Sequence, residues 1–354
     1  MKIGILTQPF LRNYGGILQN WALQRVLYQL GHEPLTLEHD TCYNRTRWLL
    51  RSVKAIARQQ SFQHLPEYPY KGRIGHHPFI DFIVNRIHST TISHFTKNLD
   101  KRLHCHAFIV GSDQVWRPVF NQGRLHHMFL DFVSDETKKV AYAASFGVDN
   151  WEYDEDETAM CSALAKRFEA ISVREDSGID LCRQQLGIEA SWVSDPVLLL
   201  DREDYMALCD HIPLYKDFVL IYALHLSDQY VGLANRLAQQ FACQVKVMEA
   251  GHHLLPDDSL EQWLASFRDA VAVVTDSFHG MALSIVFNKP FFAFSNITGG
   301  QQRIDSLFYQ YGLCRQTAND HDSILNMDID WNNVNKKRED MKSVSLKFLT
   351  DALT

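Results

Sequence analysis

The sequence lacks the features of a secreted, membrane-spanning or nucleic-acid-binding protein. Its seven cysteines are scattered and form no CxxC pair, which argues against a disulfide framework and against a structural zinc site. No apolar run approaches the roughly 20 residues of a spanning helix, and the N-terminal run at 3–6 is too short for a signal-peptide core. The net charge of -7 gives no reason to expect nucleic acid as a partner. We therefore expect a cytoplasmic protein that binds anions through a few placed cations.

Histidine is abundant, with 17 residues, and three adjacent pairs occur, at 76–77, 126–127 and 252–253. Adjacent side chains cannot share one face of a helix or of a strand. The pairs are therefore interpreted as polar surface residues, and we expect neither a metal nor a cofactor.

Apolar runs alternate with segments of helical spacing along the 354 residues, about twice the usual length of one domain. This alternation is typical of α/β folds with parallel sheets. Asp195-Pro196 is the best candidate boundary, because proline fixes the chain there and the alternation then restarts. We predict two doubly wound, Rossmann-like domains at 1–198 and 199–334 that face across a cleft, and a C-terminal helix at 335–354 that packs back on the first.

The segment 45–60 has five basic residues interleaved with apolar ones and no acidic residue. It predicts a basic amphipathic helix. Such a helix either packs on the domain with a solvated basic face or contacts a membrane surface or an acceptor.

The segment Thr275-Asp276-Ser277-Phe278-His279-Gly280 follows a wholly apolar strand and precedes a helix with apolar spacing. Free backbone amides and the helix dipole favour anions at such a helix N-terminus. His279 adds a side chain that titrates near neutrality, and Gly280 lets a ligand approach the backbone. The alternative is that Thr275 or Asp276 caps the helix and His279 bonds the neighbouring loop.

Two further polar turns follow apolar strands. Asn13-Tyr14-Gly15-Gly16 is a glycine turn of the kind that starts many phosphate sites, or simply a tight turn, and it lacks the GxGxxG spacing of a dinucleotide site. Gly111-Ser112-Asp113-Gln114-Val115-Trp116 combines a carboxylate, an amide and an indole, which are suited to a sugar. The alternative is that Asp113 caps a turn and Trp116 lies in the core.

Arg174 stands at the end of the apolar strand 171–174. There it can grip a carboxylate or phosphate with two hydrogen bonds, or it can pair with Glu175 or Asp176 on the surface.

Taken in order, these motifs resemble the polysaccharide pyruvyl transferase family from about residue 1 to about residue 313. The resemblance also includes Leu18-Gln19, Ala144-Ser145-Phe146-Gly147, Ser-Val-Arg-Glu at 172–175, Asp195-Pro196-Val197 and Lys289-Pro290.

The family implies a fold similar to GT-B glycosyltransferases and transfer of pyruvate from phosphoenolpyruvate to a sugar, usually as a ketal on two hydroxyls. The resemblance implies His279 and Asp113 as catalytic residues. It implies donor binding by Arg174, Ser277, Phe278, His279, Gly280 and Arg303. It implies acceptor binding by Asn13, Tyr14, Gly15, Gly16, Gln19, Asp113, Gln114, Trp116 and Ser145. The partners expected are phosphoenolpyruvate and a saccharide, either free or lipid-linked. A lipid-linked acceptor would place the protein at the inner membrane surface, with contact through 45–60.

The chain departs from the family pattern at several positions. Many members have arginine where Ser277 stands, so one expected cation is missing, and we expect Arg303 to replace part of it. An Arg-Gly pair is here Thr298-Gly299-Gly300, and Arg117 replaces an asparagine. Two other functions therefore stay open: a GT-B glycosyltransferase that uses a nucleotide sugar, and a non-catalytic glycan-binding member.

Overall fold

The computed structural model describes residues 1–10, 13–39, 79–121, 123–215, 217–249, 258–294, 301–313 and 329–354. The strands are β1 (Lys2–Leu6), β2 (Glu33–His39), β3 (Ser89–Ile92), β4 (Ala107–Val110), β5 (Lys138–Ala144), β6 (Ala170–Val173), β7 (Ser191–Trp192), β8 (Phe218–Ala223), β9 (Gln244–Glu249), β10 (Ala272–Thr275) and β11 (Phe291–Ala293). The α-helices are α1 (Tyr14–Gln29), α2 (Ile80–Arg86), α3 (Leu99–Leu103), α4 (Pro118–Asn121), α5 (Glu155–Ala165), α6 (Ser177–Leu181), α7 (Arg202–Cys209), α8 (Asp228–Gln240), α9 (Leu260–Asp269), α10 (Phe278–Val286), α11 (Gln301–Tyr311) and α12 (Trp331–Leu353).

Within the described residues the strands form two parallel sheets. The first has seven strands in the order β3-β2-β1-β4-β5-β6-β7, and the second has four in the order β11-β10-β8-β9. The first order is that of the Rossmann fold with one strand added. Every residue of β4, β8 and β10 is buried, as expected for parallel strands that are covered on both faces.

Each sheet contains a point where the strand order reverses. In the first sheet it lies between β1 and β4, and in the second between β8 and β10. Ligands of doubly wound sheets bind at these points, beyond the carboxyl ends of the strands. One apolar core cluster includes residues of both sheets, such as Ile5 and Val273, so the two sheets share a packed interior.

The predicted strands agree with the structure to within a few residues, but some elements were missed. Strand β3 was missed because its Ser-Thr-Thr-Ile lacks an apolar run, and β7 was missed because it has only two residues. Helix α10 begins at Phe278, within the segment that was expected to precede it. His279 therefore lies in the first helical turn.

Acidic residues cap the N-terminus of α5. The Asp154 side chain accepts from the Glu157 amide, and the Glu157 side chain accepts from the Asp154 amide. The reciprocal pair satisfies two amides that the helix itself leaves unpaired.

Helix α12 contacts the part of the chain around the predicted boundary. Ser345 Oγ accepts from the Ser194 amide at 3.0 Å, and the Arg338 guanidinium donates to the carbonyls of Leu198 and Leu200. The domain limits themselves stay a prediction. Among the described helices, none is long and apolar enough to cross a bilayer. The segment 45–60 lies outside the described residues, as do 61–77 and 298–300.

Candidate active site

The N-termini of α1 and α10 meet where the two sheets approach each other. Helix α1 follows β1 at the first reversal point, and α10 follows β10 at the second. A Cβ atom added to Gly15 would lie 2.0 Å from the Nδ1 atom of His279. Glycine is therefore required at position 15 because the imidazole ring packs directly on the backbone of α1.

The first turn of α10 is built by short polar side chains. Ser277 is the N-cap, and its Oγ accepts from the Gly280 amide at 3.4 Å. Thr275 Oγ1 accepts from the Ser277 amide at 3.1 Å. The hydroxyl of Ser277 thus caps the N-terminus of α10. Because this side chain is neutral, it does not replace the missing cation.

Gly280 is explained by packing rather than by the approach of a ligand. A Cβ atom at this position would lie 2.3 Å from Thr275 Oγ1 and 3.0 Å from the Tyr222 ring. The expectation that Gly280 opens the backbone to a ligand is therefore not supported by its surroundings.

Asp276 ties together the two loops at the second reversal point. Its Oδ1 accepts from the Leu224 amide at 2.6 Å and its Oδ2 from the His225 amide at 3.0 Å. Burial raises the pKa of the Asp276 carboxyl, although these two amides act in the opposite direction. Asp276 therefore fixes the loop that presents His279.

Arg174 is buried in a cage of carboxylates. Its guanidinium lies 3.0 Å from Asp195, 3.1 Å from Glu175 and 3.7 Å from Asp113, and it lies over the Phe278 ring, 4.3 Å from the ring centroid. Burial alone would lower the pKa of Arg174, but the three carboxylates raise it. Arg174 is thus a fixed cation, and within the described part of the chain its Nη2 atom has no hydrogen-bond partner.

Asp195 joins the two halves of the site, and the sequence did not single it out as a site residue. Its side chain is fully buried, and Oδ2 accepts from Ser112 Oγ at 2.9 Å and from Arg174 Nη1 at 3.0 Å. The same oxygen lies 3.9 Å from Nε2 of His279, a buried atom for which the residues that the structure describes supply no hydrogen-bond partner. One carboxylate therefore contacts both the arginine of the first sheet and the histidine of the second.

Arg303 on α11 adds the second arginine. Its Nε atom is buried, and no hydrogen-bond partner for it lies among the described residues. Burial, with Arg174 nearby, lowers the pKa of Arg303 to about 10. The guanidinium is still charged at neutral pH, and a bound anion would act against the shift by favouring the charged form.

The charges of this group also act on His279 and Asp113. Burial lowers the pKa of His279, and Arg174 and Arg303 lower it further, although Asp195 and Asp113 oppose them. Burial alone would raise the pKa of Asp113, but Arg174, His279 and Arg303 lower it below its usual value. The unliganded site thus favours a neutral imidazole beside an ionised carboxylate.

Several residues predicted to contact an acceptor are buried and contact other parts of the protein. Trp116 is fully buried, stacks on Phe129 at 4.8 Å and donates from its indole to the Met128 carbonyl. It therefore has no exposed face for a sugar, which corrects the expectation for Trp116. Gln19 is also fully buried and bonds Thr7 Oγ1 and the Ser112 amide.

Tyr14 and Ser145 are likewise structural. The Tyr14 hydroxyl donates to the Asp258 carbonyl at 2.6 Å, and its ring stacks on Trp263 at 4.9 Å. Ser145 Oγ donates to Glu175 at 2.8 Å and so helps to orient the carboxylate that faces Arg174. Both side chains are buried, so the predicted contacts to an acceptor are not supported for them.

The remaining predicted residues lie at or near the edge of the group. Asn13 is exposed, and its Oδ1 caps α1 by accepting from the Gly16 amide at 3.1 Å. Gln114 is partly buried beside Asp113, which itself has 7% of its surface exposed. Asp113 and Gln114 are therefore the acceptor candidates that the structure leaves in place.

The histidine pair at 126–127 lies beside Asp131. Three possible ligand atoms of His126, His127 and Asp131 fall within 4.8 Å of one another. His127 Nδ1 already lies 2.7 Å from Asp131 Oδ1, which an ordinary hydrogen-bonded pair explains. We assign no metal to this group.

The fold is shared with solved structures of nucleotide-sugar proteins. The chain is similar to Arabidopsis thaliana UGT89C1, complexed with UDP-L-rhamnose, at 9% identity over 98% of each chain with a TM-score of 0.50. It is also similar to a UDP-GlcNAc 2-epimerase from Neisseria meningitidis, bound to UDP-GlcNAc, at 9% identity over 100% of this chain and 99% of that one with a TM-score of 0.52. These similarities show the fold, and the predicted GT-B-like architecture is confirmed.

The sequence itself gives the family. No curated protein matches the chain. The sequence model named "Polysaccharide pyruvyl transferase" matches residues 13–298, which include helices α1 and α10 and the whole turn from Thr275 to Gly280. The chain is therefore a transferase that belongs to the polysaccharide pyruvyl transferase family.

Proposed function

We propose that this protein transfers the pyruvyl group of phosphoenolpyruvate to two hydroxyls of a sugar and releases phosphate. The observation that carries the proposal is the position of His279. Its unpartnered Nε2 atom lies at the N-terminus of α10, close to Asp195, Asp113 and the two arginines. His279 as an acid, carboxylates and two arginines thus lie close together. Addition of a hydroxyl to the enol ester needs an acid for the methylene carbon, a base for the hydroxyl and cations for the phosphate and carboxylate.

The donor carries a phosphate and a carboxylate. Among the described residues, Arg303 Nε and Arg174 Nη2 are buried guanidinium nitrogens without a hydrogen-bond partner, although Nη2 lies 3.7 Å from Asp113. We assign both to the donor's anionic groups, because charge-assisted hydrogen bonds from guanidinium groups are among the stronger polar contacts. The amides at the N-termini of α1 and α10 add to the positive potential. Because Ser277 is neutral and caps α10, we assign Arg303 the role that the family's missing arginine would have.

The reaction needs one proton at the methylene carbon and one base for the attacking hydroxyl. We assign the proton to His279 and the base to Asp113. Protonation makes C2 electrophilic, the first hydroxyl adds there, and its proton passes to Asp113. The second hydroxyl then displaces phosphate at C2 to close the ketal. The proton of the first hydroxyl, taken up by Asp113, balances the proton that His279 gave to the methylene carbon. The proton of the second hydroxyl leaves with phosphate.

Donor binding would prepare His279 for this step. In the unliganded site burial and the arginines keep the pKa of His279 low. A bound phosphate and carboxylate would offset the charge of both arginines and so favour the imidazolium. Donor binding would therefore raise the fraction of His279 that is protonated.

The proposal is tested by phosphate release and by thermal shift. Phosphoenolpyruvate should raise the melting temperature, and phosphate should appear only when a saccharide from a pyranoside panel is added. His279→Gln should lower turnover by about 10²- to 10⁴-fold, the usual contribution of a general acid. His211→Gln, an exposed histidine beside Asp210, is the control and should have no effect. Stabilisation by UDP or GDP sugars alone would replace this proposal with a nucleotide-sugar glycosyltransferase.

A further inference from the structure

Two aromatic side chains stack at the surface beside the candidate active site. The rings of Trp192 and Tyr309 have centroids 5.9 Å apart and planes inclined by 13°. Trp192 is partly buried, whereas 73% of the surface of Tyr309 is exposed. Trp192 thus supports one face of the tyrosine ring, and the described residues leave much of that ring open.

The pair belongs to the sheet edge that carries the site. Trp192 ends β7, in register with Val173 at the end of β6, and its indole donates to the Arg174 carbonyl at 3.0 Å. Tyr309 lies on α11, which also supplies Arg303, and this helix is held to the sheet where the Asp176 amide donates to Ser306 Oγ at 3.0 Å. The stacked rings therefore lie one strand beyond Arg174, at the same carboxyl end.

We propose that Trp192 and Tyr309 form a subsite for the acceptor glycan, in which a neighbouring pyranose ring packs on the exposed face of Tyr309. The inference rests on the function proposed above and extends it to a chain of sugars. The C–H face of a pyranose is apolar and flat, so it matches an aromatic face, and its hydroxyls stay in water at the ring's edge. The ring of Tyr309 is already held by Trp192, so little side-chain freedom is lost when the sugar binds.

The subsite predicts that affinity depends on chain length. Its probe is an array of pyranose oligosaccharides one to six residues long, with equilibrium binding measured for the glycans that the wild-type protein retains. The wild type should bind longer chains more tightly than monosaccharides. Tyr309→Ala should weaken binding of the longer chains by about threefold to tenfold, the usual range for an aromatic contact, and leave monosaccharide binding unchanged. Tyr309→Phe should keep the wild-type pattern, because the ring and not the hydroxyl makes the contact.

A matched control is Tyr215→Ala, since Tyr215 is 63% exposed and lies beside Phe218 rather than at this edge. It should bind every glycan as the wild type does. Equal chain-length dependence in wild type and Tyr309→Ala would overturn the subsite, as would the absence of glycan binding. A change of sedimentation coefficient in Tyr309→Ala, with glycan binding intact, would instead assign the rings to contact with a second copy of the chain and would also overturn it.

Failure of the subsite differs from failure of the proposed reaction. The array reports binding without turnover, and His279→Gln should retain the chain-length effect while it loses transfer. Transfer with no effect of Tyr309→Ala on chain-length preference would refute the subsite alone. If Tyr309→Ala loses the dependence of affinity on chain length but the wild type releases no phosphate, the reaction alone is refuted.

Discussion

Replacing Asp195 by asparagine removes the charge at the junction of the two halves of the site and keeps its shape. Asp195 is fully buried and makes charge-assisted contacts with Ser112 Oγ at 2.9 Å and Arg174 Nη1 at 3.0 Å. Hydrogen bonds to charged groups contribute about 1.5–3 kcal/mol each. Since Arg174 keeps Glu175 and Asp113, we expect a loss of about 2–3 kcal/mol in the free energy of unfolding rather than collapse of the fold.

The catalytic effect of Asp195→Asn follows from His279. The two side chains are 3.9 Å apart, a separation at which opposite charges attract by roughly 4 kcal/mol at an effective dielectric constant of 20. Asp195 acts to raise the pKa of His279, so the substitution should lower that pKa further. If His279 is the acid, the alkaline limb of the kcat profile should move to lower pH.

The assay is a kcat profile from acid to neutral pH, combined with urea unfolding of the same samples. Asp135→Asn is the control, because Asp135 is 83% exposed and pairs with Arg167 at 2.8 Å. An exposed pair contributes about 0–1 kcal/mol, so neither stability nor the profile should change much. An unshifted alkaline limb in Asp195→Asn would refute the coupling of Asp195 to His279, even if the variant were less stable.

The packing and charge of the site give three more predictions. Gly15→Ala should destabilise the fold by about 1–3 kcal/mol and lower turnover, because the added Cβ would lie 2.0 Å from His279. The control is Gly232→Ala, whose added Cβ would have no described atom within 4 Å outside its own helix backbone and neighbouring residues. It should be neutral or stabilising in urea unfolding. Arg303→Gln should weaken phosphoenolpyruvate binding in calorimetry by about tenfold or more. Arg183→Gln, which changes an exposed pair with Glu189, should bind as the wild type does. Equal affinities of Arg303→Gln and the wild type would exclude Arg303 from the donor site. Because burial above all holds the pKa of His279 below its ordinary 6.5, the unfolded state binds more protons there and stability should be lost as pH falls below about 6.5. His279→Gln should lose less, and identical acid unfolding of the two proteins would contradict this.

The alternation of apolar strands and helical segments was sufficient to predict an α/β fold with parallel sheets. Parallel strands covered on both faces are continuous apolar runs, and β4, β8 and β10 are of this kind. Polar turns after such strands also predicted which loops would meet, because the carboxyl ends of parallel strands share one edge. The GT-B-like architecture rested on the family resemblance, since alternation alone cannot specify how two sheets pack.

The roles of individual side chains could not be read from the same pattern. Trp116 and Ser145 stand in polar turns, yet each is buried by elements distant in sequence. The sequence marks Asp195 only as a candidate boundary, and the fold also places it between Arg174 and His279. These contacts bring together residues from both sheets, and only the tertiary structure determines such distances.

The central claim is that C2 of phosphoenolpyruvate becomes a ketal carbon on a sugar. The measurement is carbon-13 NMR of the saccharide after incubation with enzyme and phosphoenolpyruvate labelled at C2, with released phosphate measured in the same sample. The account predicts a new ketal resonance on the sugar in equal amount to the phosphate, and its loss in His279→Gln. Phosphate release without label on the saccharide, or unimpaired labelling by His279→Gln, would contradict it.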